Sequence, residues 1–407
     1  MKPSSPVRPR VSQAMLFIIL FGVVSLFSDM THESVSSIRG VFLSLVGASA
    51  ATIGFVSGLG ELVGYGMRYV FGRLTDKTGR YWPMVVIGYA VELAAVPSLA
   101  LVSEHGWVAA CALLVAQRMG KAIKKPAKDT VMSFAAYQVG PGKSFAIQEL
   151  LDQIGAFLGP VLLYVVMLFK TSGTTFERYS FCFAVLLIPA LVTLGLLLLT
   201  KSKFPHPEKF EPAPKQYIPF RLRRPFVLYM AGISLFAFGF IDYALIVMHL
   251  SRLRLFDPTV IPLIYAGAML VDALSALVFG WLFDRRGASA LVLSTLLSVL
   301  FPLLVFGFGT PVPVLVGVAL WGVGMGAQES ILKAAVAVMV PKQSRATGYG
   351  IFECSFGLFW FLGSWLIGVL YDFSLPLMIG VSMAAQLAAV PLYLLSGVKS
   401  AAAEDHA

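Results

Sequence analysis

Apolar residues recur along this chain in runs that are separated by short polar stretches. A helix rises 1.5 Å per residue, so about 20 consecutive apolar residues cross a hydrocarbon core of about 30 Å. Six such runs cover residues 14–38, 46–71, 82–102, 107–135, 144–169 and 179–200, and six more cover 225–248, 259–281, 288–308, 313–338, 347–370 and 376–396. The pattern predicts an all-α membrane protein with twelve transmembrane helices in two six-helix bundles.

The break between the two sets of runs, residues 201–224, is rich in lysine, arginine and proline, a composition typical of a linker. We therefore divide the chain into an N-terminal bundle (1–200), a cytoplasmic linker (201–224) and a C-terminal bundle with a short tail (225–407). The first run is too long for the apolar region of a signal peptide, so we expect it to remain as the first span.

Composition agrees with this reading, because 407 residues with 58% hydrophobic and 13% charged side chains do not describe a soluble domain. The net charge of +10 could suit nucleic acid, but the basic residues fall in separate short loops. With both termini in the cytoplasm, about 22 of the 31 lysines and arginines lie on the cytoplasmic side. The outer loops then hold Arg39, Lys170, Arg178, Arg252 and Arg254. We expect a multi-pass protein of a bacterial inner membrane with no nucleic-acid partner.

A short polar motif follows the second run and recurs after the eighth. Gly72, Asp76, Gly79 and Arg80 belong to the first copy, and Gly280, Asp284 and Gly287 stand 208 positions later in the second. Glycines permit a tight reversal of the chain, and the aspartates can accept backbone N–H groups at a helix start. A pair of motifs in matching register indicates an internal duplication.

This motif resembles the signature loop of the major facilitator superfamily, and the twelve spans and the second copy extend the resemblance over essentially the whole chain. The resemblance implies two pseudo-symmetric bundles that rock about a substrate site near the membrane midplane. It also implies that the motif residues form a conformational switch, in which the loop aspartate latches one bundle to the other. The second copy departs from the family pattern at Ala288, where a basic residue often closes the motif.

Asp29, His32 and Glu33 place three ionisable side chains on one helical face of the first span. Burying charge in hydrocarbon costs about 2.5–3.5 kcal/mol per residue, so this face is expected to line a cavity. Arg118 lies at a similar predicted depth in the fourth span, where it can pair with Asp29. Such a carboxylate either changes its protonation with conformation or forms a permanent ion pair. Proton-coupled members of the family use acids and an arginine at the positions of Asp29, Glu33 and Arg118.

His32 also raises the question of a metal site, because Asp29, His32 and Glu33 are all metal-ligand types. No second histidine falls at a plausible ligand spacing, and the three cysteines lie in separate apolar runs. We therefore assign His32 to the proton-coupling group as a titrating neighbour of the acids, and we expect no metal site.

Other polar residues within the spans are candidates for a substrate cavity. These candidates are Lys121, Asp152, Asp242, Tyr243, Gln328 and Glu329. Lys121 is either a cavity cation or a partner for Asp152, and Glu329 can pair with Lys333 one turn away. Lys124, Lys125 and Lys128 are expected as anchors at the membrane surface, near a helix end that Pro126 kinks.

The fifth span adds Gly155 and Gly159, whose spacing permits close helix approach. Gly159-Pro160 partly resembles the fifth-helix motif of antiporters in this family. Glu61, Arg68, Glu92, Asp272 and Glu353 are further ionisable residues in the spans to which the sequence gives no definite role.

These observations predict a proton-coupled secondary active transporter of a small molecule, with efflux by proton antiport as the leading hypothesis. The alternative is a proton symporter that imports a small organic solute or a metal chelate, and a third hypothesis is a channel or receptor on the same fold. No Walker loop, G-x-S-x-G elbow or H-E-x-x-H occurs, so an enzyme is not expected. We expect a monomer in the lipid bilayer that uses no cofactor besides the coupling proton.

Overall fold

The computed structural model describes residues 12–139, 141–210, 223–339 and 345–397, and every element within these ranges is helical. The first half contains α1 (Gln13–Leu45), α2 (Ala50–Thr78), α3 (Tyr81–Ser98), α4 (Trp107–Val139), α5 (Pro141–Phe169), α6 (Thr175–Val185) and α7 (Leu187–Lys203), with 3₁₀ turns at Leu99–Leu101 and Pro207–Phe210. The second half contains α8 (Arg224–Gly239), α9 (Tyr243–Leu253), α10 (Ile261–Arg286), α11 (Ala288–Ser298), α12 (Phe301–Phe306), α13 (Pro311–Met339), α14 (Arg345–Phe373) and α15 (Leu375–Ser396).

Three of the predicted spans consist of two helices each, namely α6 with α7, α8 with α9, and α11 with α12. Within the described ranges, ten segments are long and apolar enough to cross a membrane. The other two long helices are α2, which is rich in glycine and contains Glu61, and α4, which carries Arg118 and several lysines. At 29 and 33 residues both have sufficient length, so the helices agree with the predicted six-plus-six pattern.

Several helices extend beyond the apolar runs that predicted them. The first run ends at residue 38, but α1 continues to Leu45. Arg39 therefore lies inside α1 with 8% of its surface exposed, and its placement in an outer loop was wrong. Its charge is compensated by a carboxylate, so the side chain does not need to reach water. In α4, Pro126 lies inside the helix, which continues to Val139 instead of ending near the proline.

The duplicated motif forms the ends of α2 and α10. Gly79 and Gly287 follow these helices with φ of 62° and 56°, and a positive φ is a conformation that glycine adopts without strain. Asp284 is consequently exposed in the last turn of α10, and Asp76 belongs to the last turn of α2. The expectation that the aspartates stand at a helix start was wrong, because both helices continue to the closing glycine. The side chain of Asp76 lies outside the described residues.

The first glycine of each motif copy lies within its helix and packs against a neighbour. A Cβ at Gly72 would lie 3.6 Å from Pro126 of α4, and one at Gly280 would lie 3.6 Å from Ser330 of α13. These distances are ordinary van der Waals contacts. Because Gly72 and Gly280 lie inside helices, they do not reverse the chain. Arg80, the last residue of the first copy, is exposed and directly precedes α3 as its N-cap residue.

We name the two ends of the bundle by their connections. The turn end holds residues 46–49, 102–106, 170–174 and 254–260, and the linker end holds residues 79–80 and 204–210. The two halves meet through α2 with α14, α1 with α9, and α5 with α10. Near the turn end, a Cβ at Gly40 of α1 would overlap the Ala244 carbonyl of α9, so the two backbones touch there.

Hydrogen bonds also link the two halves at the turn end. Arg178 donates to the Thr259 hydroxyl at 2.7 Å, and the Tyr179 hydroxyl donates to the Pro258 carbonyl at 3.1 Å. Within the first half, α5 packs closely on α1, because a Cβ at Gly159 would overlap the Met30 carbonyl. This contact confirms the close approach predicted for the glycines of the fifth span.

Candidate functional site

His32 lies in a buried polar group between α1, α3 and α4, with 3% of its surface exposed. Its Nδ1 lies 3.1 Å from Gln117 Nε2, and its Nε2 lies 3.3 Å from Lys121 Nζ. Two carboxylates flank the ring, with Glu92 Oε1 at 3.6 Å from Nδ1 and Glu33 Oε1 at 3.8 Å from Nε2. We call His32, Glu33, Glu92, Gln117 and Lys121 the histidine cluster.

The donors around His32 define how its protons are placed. A lysine ammonium has no acceptor, so Lys121 must donate to Nε2, which leaves the ring proton on Nδ1 of a neutral imidazole. Nδ1–H then points at the Gln117 amide, whose oxygen accepts it after a flip of the amide group. A proton taken up at Nε2 would displace Lys121 and favour pairing with Glu33. His32 thus connects the charge of Lys121 to that of Glu33.

Glu92 binds Lys124 on the other side of the ring. The two side chains form an ion pair, and their residues are 1% and 4% exposed. Lys124 also donates to the Ser28 hydroxyl at 2.8 Å and lies 3.8 Å from the centre of the Tyr89 ring. Lys124 is therefore surrounded by protein, and its predicted role as a surface anchor was wrong.

Lys128 is buried as well, with its Nζ 3.8 Å from Asp152 Oδ2. Asp152 consequently pairs with Lys128, whereas Lys121 contacts His32. Of the three lysines expected as anchors, only Lys125 remains partly exposed, and it pairs with Asp129 one turn away at 3.2 Å. Carboxylates on neighbouring helices compensate the charges of the other two, which lets them stay inside.

Arg118 pairs with Glu61 of α2, with 2.6 Å between Nη2 and Oε1. In the described residues it forms no ion pair with Asp29, so the structure does not bring this predicted pair together. Asp29 is half-buried, and it lies near enough to Lys124 and Lys128 to interact with their charges. Asp29 therefore belongs with the deeper lysines of α4 and not with Arg118.

Glu33 connects the histidine cluster to the second half of the chain. Its Oε2 accepts a hydrogen bond of 2.5 Å from the hydroxyl of Tyr265 in α10. Tyr265 in turn packs against Tyr243, with 4.5 Å between ring centres. One carboxylate of the predicted proton-coupling group therefore contacts both His32 and the opposite half.

Asp242 stands at the break between α8 and α9 and binds the first half. It accepts from Arg39 Nη2 at 2.8 Å on Oδ1 and 3.1 Å on Oδ2, and it caps α9 by accepting from the Ala244 N–H at 2.8 Å. The helix N-terminus and the guanidinium both stabilise its negative charge. Asp242 was predicted as a cavity residue, and its contacts here make it a link between the halves.

The remaining predicted cavity residues lie in the second half. Tyr243 is buried with its ring 5.0 Å from that of Trp321. Gln328 is buried beside the Tyr393 hydroxyl, and Glu329 is exposed on α13. The side chain of Lys333 lies outside the described residues, so its predicted pairing with Glu329 is not described either.

Sequence reasoning did not single out Glu61, Glu92, Tyr265 or Arg39 as members of the site. A signal for one of them was present, because Glu61 and Arg118 each lie 11 residues from the turn-end start of their helices, Ala50 and Trp107. Because each residue adds the same rise along a helix, equal distances from the turn-end start place the two side chains at similar depth in the membrane. For Tyr265 no sequence signal separates it from other aromatic residues of the spans.

The chain matches the family model described as Major Facilitator Superfamily twice, over residues 11–255 and 233–405. A protein of Mycobacterium tuberculosis (strain H37Rv) described as uncharacterized is 37% identical over 389 residues, which cover 94% of this chain and 93% of that protein.

Solved structures share the fold at low sequence identity. A mutant form of the nucleoside transporter NupG superposes with a TM-score of 0.75 at 14% identity, covering 94% of this chain and all of the other. A D-xylose–proton symporter gives a TM-score of 0.67 at 14% identity, with 95% and 97% of the two chains covered.

Proposed function

The chain belongs to the Major Facilitator Superfamily, and from that premise we propose that it moves a small molecule by alternating access with protons as the coupling ion. The hydrogen bond between Glu33 and Tyr265 carries this proposal. It joins a titratable carboxylate of the first half to a hydroxyl of the second, in a region where the halves must separate if the transporter is to change state.

Protonation of Glu33 would weaken this link for an electrostatic reason. A hydrogen bond to a carboxylate is stronger than one to a neutral carboxylic acid, so proton binding lowers the cost of parting α1 from α10. A proton that binds one conformation better than the other shifts the equilibrium between them. Glu33 is 20% exposed, which leaves it a route to water.

His32 extends the effect of this proton into the first half. It lies between Glu33 and Lys121, so a change of charge at either side chain alters the hydrogen bond at Nε2. Asp29 and Arg118 complete the proposed proton-coupling group, with Arg118 acting through Glu61. The family resemblance supports a switching role for the motif glycines and for Asp76, Arg80 and Asp284.

We propose export by proton antiport as the direction, in a bacterial inner membrane with the linker end in the cytoplasm. The partial antiporter motif at Gly159-Pro160, which packs on α1, supports export. Import by proton symport is the alternative, and the fold it shares with a D-xylose–proton symporter supports it. A channel would not require titratable acids at the contact between the halves.

The test begins with a substrate. A thermal-shift screen of the purified protein against metabolites, drugs and metal chelates identifies ligands, because a compound bound only by the folded state raises its apparent stability. Flux of the best ligand is then measured in liposomes with and without a pH gradient, and the sign of the gradient that drives accumulation gives the direction.

Variants decide whether the acids couple protons to this flux. Asp29→Asn and Glu33→Gln should abolish gradient-driven accumulation while the exchange of ligand at equal pH continues. Asp257→Asn and Glu104→Gln, which change exposed acids at the turn end, are the matched controls. If Asp29→Asn and Glu33→Gln both accumulate ligand as the wild type does, the assignment of proton coupling is wrong.

A further inference from the structure

Asp272 is a buried carboxyl of the second half that has no part in the link between Glu33 and Tyr265. It lies in the middle of α10 with 4% of its surface exposed. Its Oδ1 is fully buried and has no hydrogen-bond partner among the described residues. A buried polar atom normally has a hydrogen-bond partner in the protein, because burial removes the water that would otherwise bind it.

Close packing of α13 seals this side chain. A Cβ added at Gly326 would lie 2.5 Å from Asp272 Oδ1, and one at Gly322 would lie 2.6 Å from the Ala268 carbonyl one turn away. The two glycines therefore bring the α13 backbone directly against α10. Any larger residue at position 326 would occupy the space in front of the carboxyl.

Among the described residues, the charged groups that face Asp272 are all acids. Glu329 of α13, Glu33 of α1 and Glu149 of α5 interact with it electrostatically, and α11, which also packs on α10, contains no titratable residue. No described cation lies where it could compensate an ionised Asp272.

An ionised carboxylate that is buried away from any cation, with one oxygen that accepts no hydrogen bond, is strongly disfavoured relative to the neutral acid. We propose that Asp272 is a proton-binding site of the second half, neutral while α13 covers it and ionised once α10 and α13 part and admit water. This proposal deepens the proposed proton coupling and rests on it for a role in transport. Its proton occupancy is a separate, measurable property.

Infrared spectroscopy of the purified wild type tests the occupancy, since a protonated carboxylic acid has a C=O stretch that a carboxylate lacks. We expect such a band near neutral pH and its loss in Asp272→Asn, which keeps the shape of the side chain. Asp257→Asn, at an exposed acid, should leave the band unchanged. A wild type without the band, or an Asp272→Asn protein that retains it in full, overturns the proposal.

A second measurement covers the case in which the variant does not fold. The C=O stretch of a carboxylic acid moves to lower frequency when its proton is exchanged for deuterium, and a carboxyl that α13 covers exchanges slowly. In the wild type transferred to deuterated buffer, the band should therefore persist at first and shift only as α10 and α13 part. A band that shifts at once belongs to a carboxyl that water reaches and counts against the site. If the band is found and exchanges slowly but no ligand flux responds to pH, the proton site stands and the proposed coupling fails.

Discussion

The two halves of the chain differ in how their buried charges are compensated. In the first half, α4 carries three cations that each face a carboxylate on another helix, in the pairs Arg118–Glu61, Lys124–Glu92 and Lys128–Asp152. In the second half, Asp272 of α10 is buried without a described cation. Two other acids of the second half bind cations of the first half: Asp242 binds Arg39, and Glu353 binds Arg68.

This difference separates two possible uses of a buried ionisable group. A carboxylate with its own cation keeps its charge in every conformation that preserves the pair, so it mainly fixes helix positions. A carboxylate whose cation belongs to the other half loses that cation when the halves part, and its proton affinity then rises. A pair across the interface therefore changes the proton affinity of its carboxylate when the halves move, whereas a pair within α1–α7 does so only if the movement also disturbs that pair.

The largest effect should come from breaking a pair inside the first half. Glu92→Gln leaves Lys124 buried without its carboxylate, and we expect a loss of about 3–5 kcal/mol of stability. The thermal unfolding midpoint of the purified protein measures it. The double variant Glu92→Gln/Lys124→Gln removes both charges and should recover much of the loss, while Glu104→Gln at an exposed position should change little. Equal midpoints for Glu92→Gln and wild type would contradict this account of the pair.

A smaller loss is expected when the pair across the turn end is broken. Arg39→Gln leaves Asp242 with the Ala244 N–H and the N-terminus of α9, so we expect a loss of about 1.5–3 kcal/mol. The thermal midpoint again reports it. Arg252→Gln, which breaks a half-exposed pair with Asp372, is the matched control and should cost less than about 1 kcal/mol. A control that loses as much as Arg39→Gln would show that burial does not set the effect.

These pairs show how far the sequence could predict the site. Apolar runs predicted the long helices, because period and length are properties of the chain alone. The pairing of Asp29 with Arg118 relied on a first span that ends at residue 38, but α1 continues to Leu45. Seven more residues move Asp29 about 10 Å further from the turn end. Depth was misjudged because α1 continues past its apolar run, where Arg39 is held by a carboxylate of the other half.

The sequence could not predict which side chains pair with each other for a second reason. Depth gives one coordinate, but the direction in which a side chain leaves its helix depends on how each helix is rotated against its neighbours. Glu61 lies at the depth of Arg118, but the packing of α2 against α4 is what brings the two side chains together. The same holds for Tyr265, which contacts Glu33 from the other half.

Tyr265→Phe tests the link between the halves at the histidine cluster. The variant removes one hydrogen bond to Glu33, whose carboxylate is 20% exposed and can bind water instead. We expect a loss of about 1 kcal/mol in thermal stability together with weaker dependence of ligand flux on pH. Tyr164→Phe, a tyrosine substitution in α5, is the control. Unchanged pH dependence in Tyr265→Phe would remove the Glu33 link from the proposed mechanism.

The smallest effect should come from the pair nearest the linker end. Arg68 and Glu353 lie 3.2 Å apart across α2 and α14, and their side chains are 15% and 30% exposed, compared with 10% and 4% for Arg39 and Asp242. Water that reaches the pair screens it, so a double-mutant cycle with Arg68→Gln and Glu353→Gln should give a coupling of about 0.2–1 kcal/mol. The same cycle on Arg39 and Asp242 should give a larger value. If the two couplings are equal, the exposure of the side chains does not set the strength of the ion pairs between the halves.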